Sequence, residues 1–227
     1  MKRIIFLVVF GLGGVAVLIS LGTWQLQRLS WKQTVLAQIE ERIVEAPVAL
    51  PAQPDPAADK YLSVSVEGVM KPQALRVLVS LKSAGAGYRL ISPFMMDGRT
   101  ILVDRGFISV NDPLPEPISP EAKSVVVGNL HWPNETDSYT PAPDVEQNIW
   151  FARDVDVMAA ALKTDPIMIV LRTTSQPNAA VIPLPVDTSR IPNDHLQYAI
   201  TWFLLAFIWA AMTCYFLVRT KRSLTET

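Results

Sequence analysis

Two long uncharged apolar segments, one near each end of the chain, most constrain what this sequence can fold into. Residues 4–21 and 196–218 contain no Asp, Glu, Lys or Arg. At about 1.5 Å of rise per helical residue, segments of this length cross a hydrocarbon core about 30 Å thick. We therefore predict transmembrane helices over residues 4–23 and 195–218. Apolar residues at helical spacing predict that the first continues as an amphipathic helix to about residue 45.

The charges beside these segments predict how the chain is oriented in the membrane. Basic residues stand on the terminal side of each segment: Lys2, Arg3, Arg219, Lys221 and Arg222. Because cytoplasmic flanks are enriched in Lys and Arg, both termini are predicted to be cytoplasmic, with residues 219–227 as a cytoplasmic tail. A cleaved signal peptide is the alternative for the first segment, since Ser20 and Gly22 are small. The apolar run of the first segment, however, is longer than the ~7 to 15 residues that are usual for the apolar region of a signal peptide.

The middle of the chain reads as a β-rich domain. A proline-rich linker is predicted over residues 46–60, and residues 61–187 then form the domain outside the membrane. Alternating apolar and polar residues predict strands at 61–69, 75–81, 88–94, 100–107, 124–130 and 167–173, with a short helix at 154–162. Asp97-Gly98 predicts a tight hairpin between the third and fourth strands. The fold class is therefore a membrane α+β protein with a mostly antiparallel sheet.

Composition excludes several classes of function. A net charge of −1 gives no reason to expect binding of nucleic acid, which would require a basic face or stripe. Phosphate-binding, dinucleotide-binding, nucleophile-elbow and zinc-protease motifs are missing from the sequence. Cys214, the single cysteine, lies in the second apolar segment, so no disulfide is expected. His131 is read as a surface or loop residue and Met95-Met96 as packing, because a zinc or copper site there lacks further ligands.

The second histidine, His195, opens the second apolar segment and admits two interpretations. On a helical wheel it shares a face with Tyr198 and Trp202. It is either a polar cap beside an interfacial aromatic belt, or an axial ligand in the wall of a haem pocket. The two helices meet at the same membrane surface, which places Trp24 and Arg28 at the level of His195. Arg28 is either a partner for haem propionates or a headgroup anchor stacked on Trp24.

The sequence resembles the surfeit locus protein 1 family of cytochrome c oxidase assembly factors. GTWQLQRL (residues 22–29) is similar to the family signature at the first helix, and NDHLQYA (193–199) to that at the second. LVDRGF (102–107) resembles a central strand, and Asn148 with Trp150 a later motif. Asp194 departs from the pattern, in which a second Asn is more frequent.

The resemblance implies a non-enzymatic chaperone of the bacterial inner membrane. Its partners would be cytochrome c oxidase subunit I, the haem a synthesis machinery and membrane lipid. Haem a would be ligated by His195, and the cofactor-binding residues are predicted as His195, Tyr198, Trp202, Trp24 and Arg28. Two other classes stay open, a two-span sensor with a ligand-binding outer domain and a haem-modifying oxidoreductase. The oxidoreductase would usually need more than one histidine at membrane depth.

Overall fold

The computed structural model describes residues 2–113, 115, 122–189 and 191–225. The chain divides into two compact units, a helical unit of Met1–Gln38 with Thr188–Thr227, and a β domain of Ile39–Asp187. The helices are α1 (Lys2–Val44), α2 (Val155–Leu162) and α3 (His195–Thr225). The strands are β1 (Val48–Ala49), β2 (Ser63–Met70), β3 (Leu75–Leu81), β4 (Gly85–Met96), β5 (Arg99–Ser109), β6 (Lys123–Leu130), β7 (Ile149–Trp150) and β8 (Met168–Thr174).

Helices α1 and α3 pack as an antiparallel pair through small residues. A Cβ added at Gly22 would lie 2.8 Å from Phe203 Cε1, and one added at Gly11 would lie 2.2 Å from Thr213 Cγ2. The residue nearer the start of α1 thus contacts the residue further along α3, so the two helices are antiparallel. Small residues at these crossings let the two backbones approach closely, as is common for helices packed within a bilayer.

Both long helices are, by length and composition, able to cross a membrane. In each, only 6% of the most apolar 18-residue window is buried. The core helix of a soluble protein would be mostly buried, so this exposed apolar surface favours lipid as its surroundings. The predicted continuation of the first helix is present, since α1 ends at Val44. Helix α3 continues to Thr225, through most of the predicted tail at 219–227, of which residues 226–227 lie outside the described part.

The β domain is a closed barrel rather than an open sheet. The strand order is β1-β2-β6-β8-β5-β4-β3-β7, and β2 also pairs with β4 at Val69–Met95 and Met70–Phe94. Strands β2, β6, β8, β5 and β4 thus form a ring. A barrel closed in this way leaves its ring strands without free edges.

The predicted strands all appear, but the sheet is mixed. Most pairings are antiparallel, including β4 with β5 through the predicted Asp97-Gly98 turn. Three pairings are parallel: β1–β2, β5–β8 and β3–β7. The parallel pairings were not predicted from the sequence; the β5–β8 pair, for example, joins strands that are separated along the chain by β6, β7 and helix α2. The predicted helix at 154–162 is confirmed, with Asp154 capping the Val157 backbone N–H.

Three buried apolar clusters are found among the described residues, and the two larger ones lie on the two faces of the barrel wall. The first includes Phe94, Ile101 and Ile169, all fully buried. The second includes Leu102, Met168 and Met158, the last from α2, which covers that face. Successive residues of β5 and β8 therefore serve different cores, and this explains the nearly continuous apolar runs of these strands.

The segments predicted as loops pack onto the barrel in part. Within residues 46–60, Val48–Ala49 pairs with β2 and Leu50 packs against the first core. Arg99 Nη1 donates a hydrogen bond to the carbonyl oxygen of Ala52 at 2.7 Å. Two paired residues are too few to show a strand period in the sequence. Of the loop predicted at 111–120, residues 114 and 116–120 lie outside the described residues.

Candidate functional site

His195, the first residue of α3, is held by a side chain of α1. Its Nδ1 lies 2.8 Å from Oε1 of Gln25. An amide oxygen only accepts hydrogen bonds, so this contact requires the tautomer that has its proton on Nδ1. Nε2 then carries the free lone pair. A metal-binding histidine is usually oriented in this manner, through a hydrogen bond from its other ring nitrogen.

A second contact fixes the same level of the helix pair. Lys32 Nζ donates a hydrogen bond to the carbonyl oxygen of Pro192. The backbone N–H of Tyr198 bonds the carbonyl oxygen of Asp194 at 3.1 Å, which closes the first turn of α3. Asn193 Oδ1 is buried without a hydrogen-bond partner. The two sequence segments that resemble family signatures are therefore in direct contact in the structure.

The other predicted site residues are placed less tightly. Trp202 is half-buried, whereas Tyr198 is 55% and Trp24 50% exposed. Arg28 is exposed, and its Cζ lies 4.8 Å from the centre of the Trp31 ring. The stacking of Arg28 on Trp24 that the sequence suggested is thus replaced by stacking on Trp31. The buried members of the His195 face are Ala199 and Ala206, which lie toward α1.

Gln25 is the functional residue that sequence reasoning missed. It lies inside the GTWQLQRL segment, but neighbouring Trp24 and Arg28 drew attention because of their size and charge. A glutamine on a helix is ordinarily a solvated side chain. Only the pairing of α1 with α3 shows that Gln25 meets His195.

A cavity of about 680 Å³ lies between the two helices, but at another level. Gly14, Val17, Trp209 and Met212 contribute to its apolar lining. Gly14 precedes Gln25 by 11 residues, which is roughly 16 Å along a helix. The cavity therefore does not adjoin the His195 imidazole.

The β domain contains a buried ionic network around Asp104 on β5. Arg89 Nε and Arg153 Nη1 lie 2.8 and 3.0 Å from Asp104 Oδ2. Arg153 also forms an ion pair with Glu135. Burial raises the pKa of Glu135, but the hydrogen bonds and the charge of Arg153 outweigh it and hold this pKa below its usual value. Two carboxylates facing two guanidinium groups make the network neutral, as buried charges require.

His131 is less exposed than the sequence suggested. It follows β6 in a loop, but it is half-buried and its ring lies 5.4 Å from that of Tyr61. Its Nδ1 is buried without a partner. Burial first, and then the positive charges of Arg153 and Lys60, lower the pKa of His131 from 6.5 to about 4. Within the described ranges, no group of three or more His, Cys, Asp or Glu side chains is placed to hold a metal ion.

The fold defines a class of protein in which one chain contains both an antiparallel pair of long apolar helices and a closed β barrel. Sequence comparison gives the family. The SURF1 family profile matches residues 12–207. Surfeit locus protein 1 of Rattus norvegicus is 30% identical over 220 residues, which cover 84% of this chain and 70% of the relative. A SURF1-like protein of Rickettsia felis is 31% identical over 199 residues, covering 84% and 87%. The chain belongs to the SURF1 family.

Proposed function

We propose that the chain is a chaperone for assembly of haem-a-containing cytochrome c oxidase in the inner membrane of a bacterium, and that His195 ligates haem a. Family membership supports the assembly role, because the resemblance that implied it extends over most of the chain. The relatives include a bacterial protein. Subunit I of the oxidase and the haem a synthesis machinery are the proposed partners. We propose no catalytic turnover.

The observation that carries the haem proposal is the hydrogen bond between His195 and Gln25. It leaves Nε2 as the nitrogen able to bind iron. Haem, when bound, would supply a redox-active iron that the His195 imidazole would ligate. The chain would supply the imidazole, the orienting amide of Gln25 and the aromatic side chains of Tyr198, Trp202 and Trp24 near it. Arg28, exposed and stacked on Trp31, is the proposed cation for a propionate.

The exposed apolar surface of α1 and α3 supports a proposal about the membrane. We propose that both helices cross the membrane, with both termini cytoplasmic and the β domain periplasmic. Lys2 and Arg3 line one cavity together with Thr220, so the two chain ends lie at the same end of the helix pair. Basic residues at that end agree with a cytoplasmic location.

The test uses the fact that the chain has two histidines, His131 and His195. We expect His195→Ala to remove or strongly reduce the Soret absorption of protein purified from haem-a-producing cells, because Ala provides no nitrogen ligand. His131→Gln is the matched control and should keep the spectrum. Haem a retained at full stoichiometry with an unchanged spectrum in His195→Ala would disprove the ligand assignment.

The assembly role is tested separately, by complementation in a bacterium that lacks its own SURF1 protein. The wild-type chain should restore the haem a content of oxidase subunit I. If membranes of the complemented strain contain the chain but no more assembled oxidase than the empty-vector strain, the chaperone proposal is wrong.

A further inference from the structure

Adjacent charged residues of β5, Asp104 and Arg105, have opposite surroundings. Asp104 is neutralised by two arginines. Arg105 is only 7% exposed, and its Nη2 is buried without a hydrogen-bond partner. The ion pairs found among the described residues do not include it. Burial without a counter-ion lowers the pKa of the Arg105 guanidinium.

Arg105 lines a cavity of about 260 Å³ in the β domain, which we call the Arg105 pocket. Met70, Leu171 and Val181 give it an apolar wall. Ser124, Thr173 and Asn178 add hydroxyl and amide groups. The described residues that line it include no Asp or Glu. The unpaired guanidinium therefore faces a mixed apolar and polar cavity without a negative charge.

A second arginine of the same pocket, Arg172, differs from Arg105 in its hydrogen bonds. Arg172 donates hydrogen bonds to the carbonyl oxygen of Ile43 at 2.8 Å and to Ser63 Oγ at 3.1 Å. Both terminal nitrogens of Arg172 thus donate within the protein, whereas its charge still adds to the positive potential of the pocket. A buried charge left unpaired costs several kcal/mol in general. A site that keeps such a charge is suited to a ligand that neutralises it.

We propose that the Arg105 pocket binds the oxyanion group, a carboxylate or a phosphate, of a small molecule whose apolar part packs on Met70, Leu171 and Val181. The planar guanidinium matches two oxygens of such a group. The volume of about 260 Å³ exceeds that of a bare inorganic anion and admits a ring-sized apolar part. This site lies wholly in the β domain and is independent of the proposed haem ligand.

The test measures thermal unfolding of the full-length protein in detergent by tryptophan fluorescence. Benzoate and phenyl phosphate are the probes, acetate and inorganic phosphate report the anion alone, and benzyl alcohol is the neutral analogue. All titrations are matched in ionic strength with chloride. We expect benzoate or phenyl phosphate at about ten times its Kd to raise the midpoint by roughly 2–6 °C. Which of the two acts distinguishes carboxylate from phosphate recognition.

Two variants locate the effect. Arg105→Gln should abolish the shift, whereas Arg99→Gln, which removes a half-exposed arginine paired with Asp165, should keep it. Asn178→Asp places a carboxylate in the pocket wall, so it should suppress the probe effect in protein that stays folded. It serves as the second variant where Arg105→Gln does not fold. The proposal is overturned if neither aromatic anion shifts the wild-type midpoint, or if the shift persists in either pocket variant.

Discussion

At the residue scale, the side-chain amide of Gln25 orients the imidazole of His195. Gln25 Oε1 accepts from Nδ1 at 2.8 Å, and it thereby fixes both the tautomer and the ring orientation. We expect Gln25→Leu to weaken haem binding about 10- to 100-fold, as loss of an orienting partner generally does at metal sites. Haem titration of the purified variant, followed by Soret absorbance, measures this change.

Gln27→Leu is the matched control for that experiment. Gln27 is two residues away on the same helix, and its side chain is exposed. Both variants replace a glutamine of α1 by the same residue, so their effects on helix propensity and membrane insertion should be similar. Equal haem affinity in the two variants would show that Gln25 has no part in holding the ligand.

His131 predicts a pH dependence of stability. Its pKa is about 4 in the folded protein and near 6.5 in the unfolded chain. Between pH 4 and pH 6.5 the His131 imidazole binds a proton in the unfolded chain but not in the folded protein. The contribution of His131 to the free energy of unfolding is therefore fully present above pH 6.5 and is lost as the pH falls toward 4. The expected loss between pH 7 and pH 4.5 is on the order of 2 kcal/mol. Thermal unfolding of the full chain across this range measures it.

His131→Phe separates this effect from other titrations. Phenylalanine keeps a ring against Tyr61 but cannot be protonated, so the variant should lose most of the pH dependence between pH 6.5 and pH 4.5. Glu135 also has a lowered pKa, and its contribution is lost at lower pH, below the ordinary value of 4.5. An unchanged slope in the His131→Phe variant would mean that another group titrates in the upper window.

His195 and the level at which α1 meets α3 could be predicted from the sequence, but the Gln25 contact could not. Helical periodicity tells which residues of one helix share a face. It does not tell which residue of another helix faces them. The surroundings of the buried charges could not be predicted for the same reason. Asp104 and Arg105 are neighbours in the chain, and only the packing shows that Asp104 is paired and Arg105 is not.

At the element scale, two nearby glycines of α1 have different environments. A Cβ at Gly11 would lie 2.2 Å from Thr213 Cγ2, whereas one at Gly13 has no atom within 4 Å. We therefore expect Gly11→Val to separate α1 from α3 and to destabilise their packing by about 1–3 kcal/mol. Gly13→Val has the same helix propensity and should leave the packing intact. Thermal unfolding in detergent compares the two variants.

The outcome for Gly11→Val is judged against that control. If the variant lowers the unfolding midpoint no more than Gly13→Val does, close approach at Gly11 is not needed for packing. The two long helices could be predicted from the sequence, because a long uncharged apolar segment indicates a helix without information from the rest of the fold.

Closure of the barrel, by contrast, could not be predicted from the sequence. The six longer strands of the β domain were predicted from the sequence, and the predicted bounds lie within a few residues of those observed. The β2–β4 pairing joins residues such as Met70 and Phe94, and the parallel β5–β8 pairing joins Leu102 and Met168. These partners are distant in sequence, and their alternation is the same in an open sheet as in a closed barrel.

At the scale of the whole molecule, the antiparallel order of α1 and α3 leaves the two chain ends together. Gly22 approaches Phe203, and Gly11 approaches Thr213, which is further along α3. With both helices crossing the membrane, as proposed, the C-terminus would return to the side on which the N-terminus lies. The basic residues at that end predict that this side is the cytoplasm.

Cysteine labelling of intact cells tests this orientation in the full-length protein. In a Cys214→Ser background, Tyr139→Cys places a thiol on a β-domain loop where the native side chain is 90% exposed. A membrane-impermeant maleimide should modify this thiol in cells whose outer membrane has been permeabilised. Thr227→Cys in the same background should react only after the inner membrane is lysed, because the C-terminus is expected in the cytoplasm. The reverse pattern would invert the topology, and labelling of both thiols before lysis would show that the helix pair does not span the membrane as two crossings.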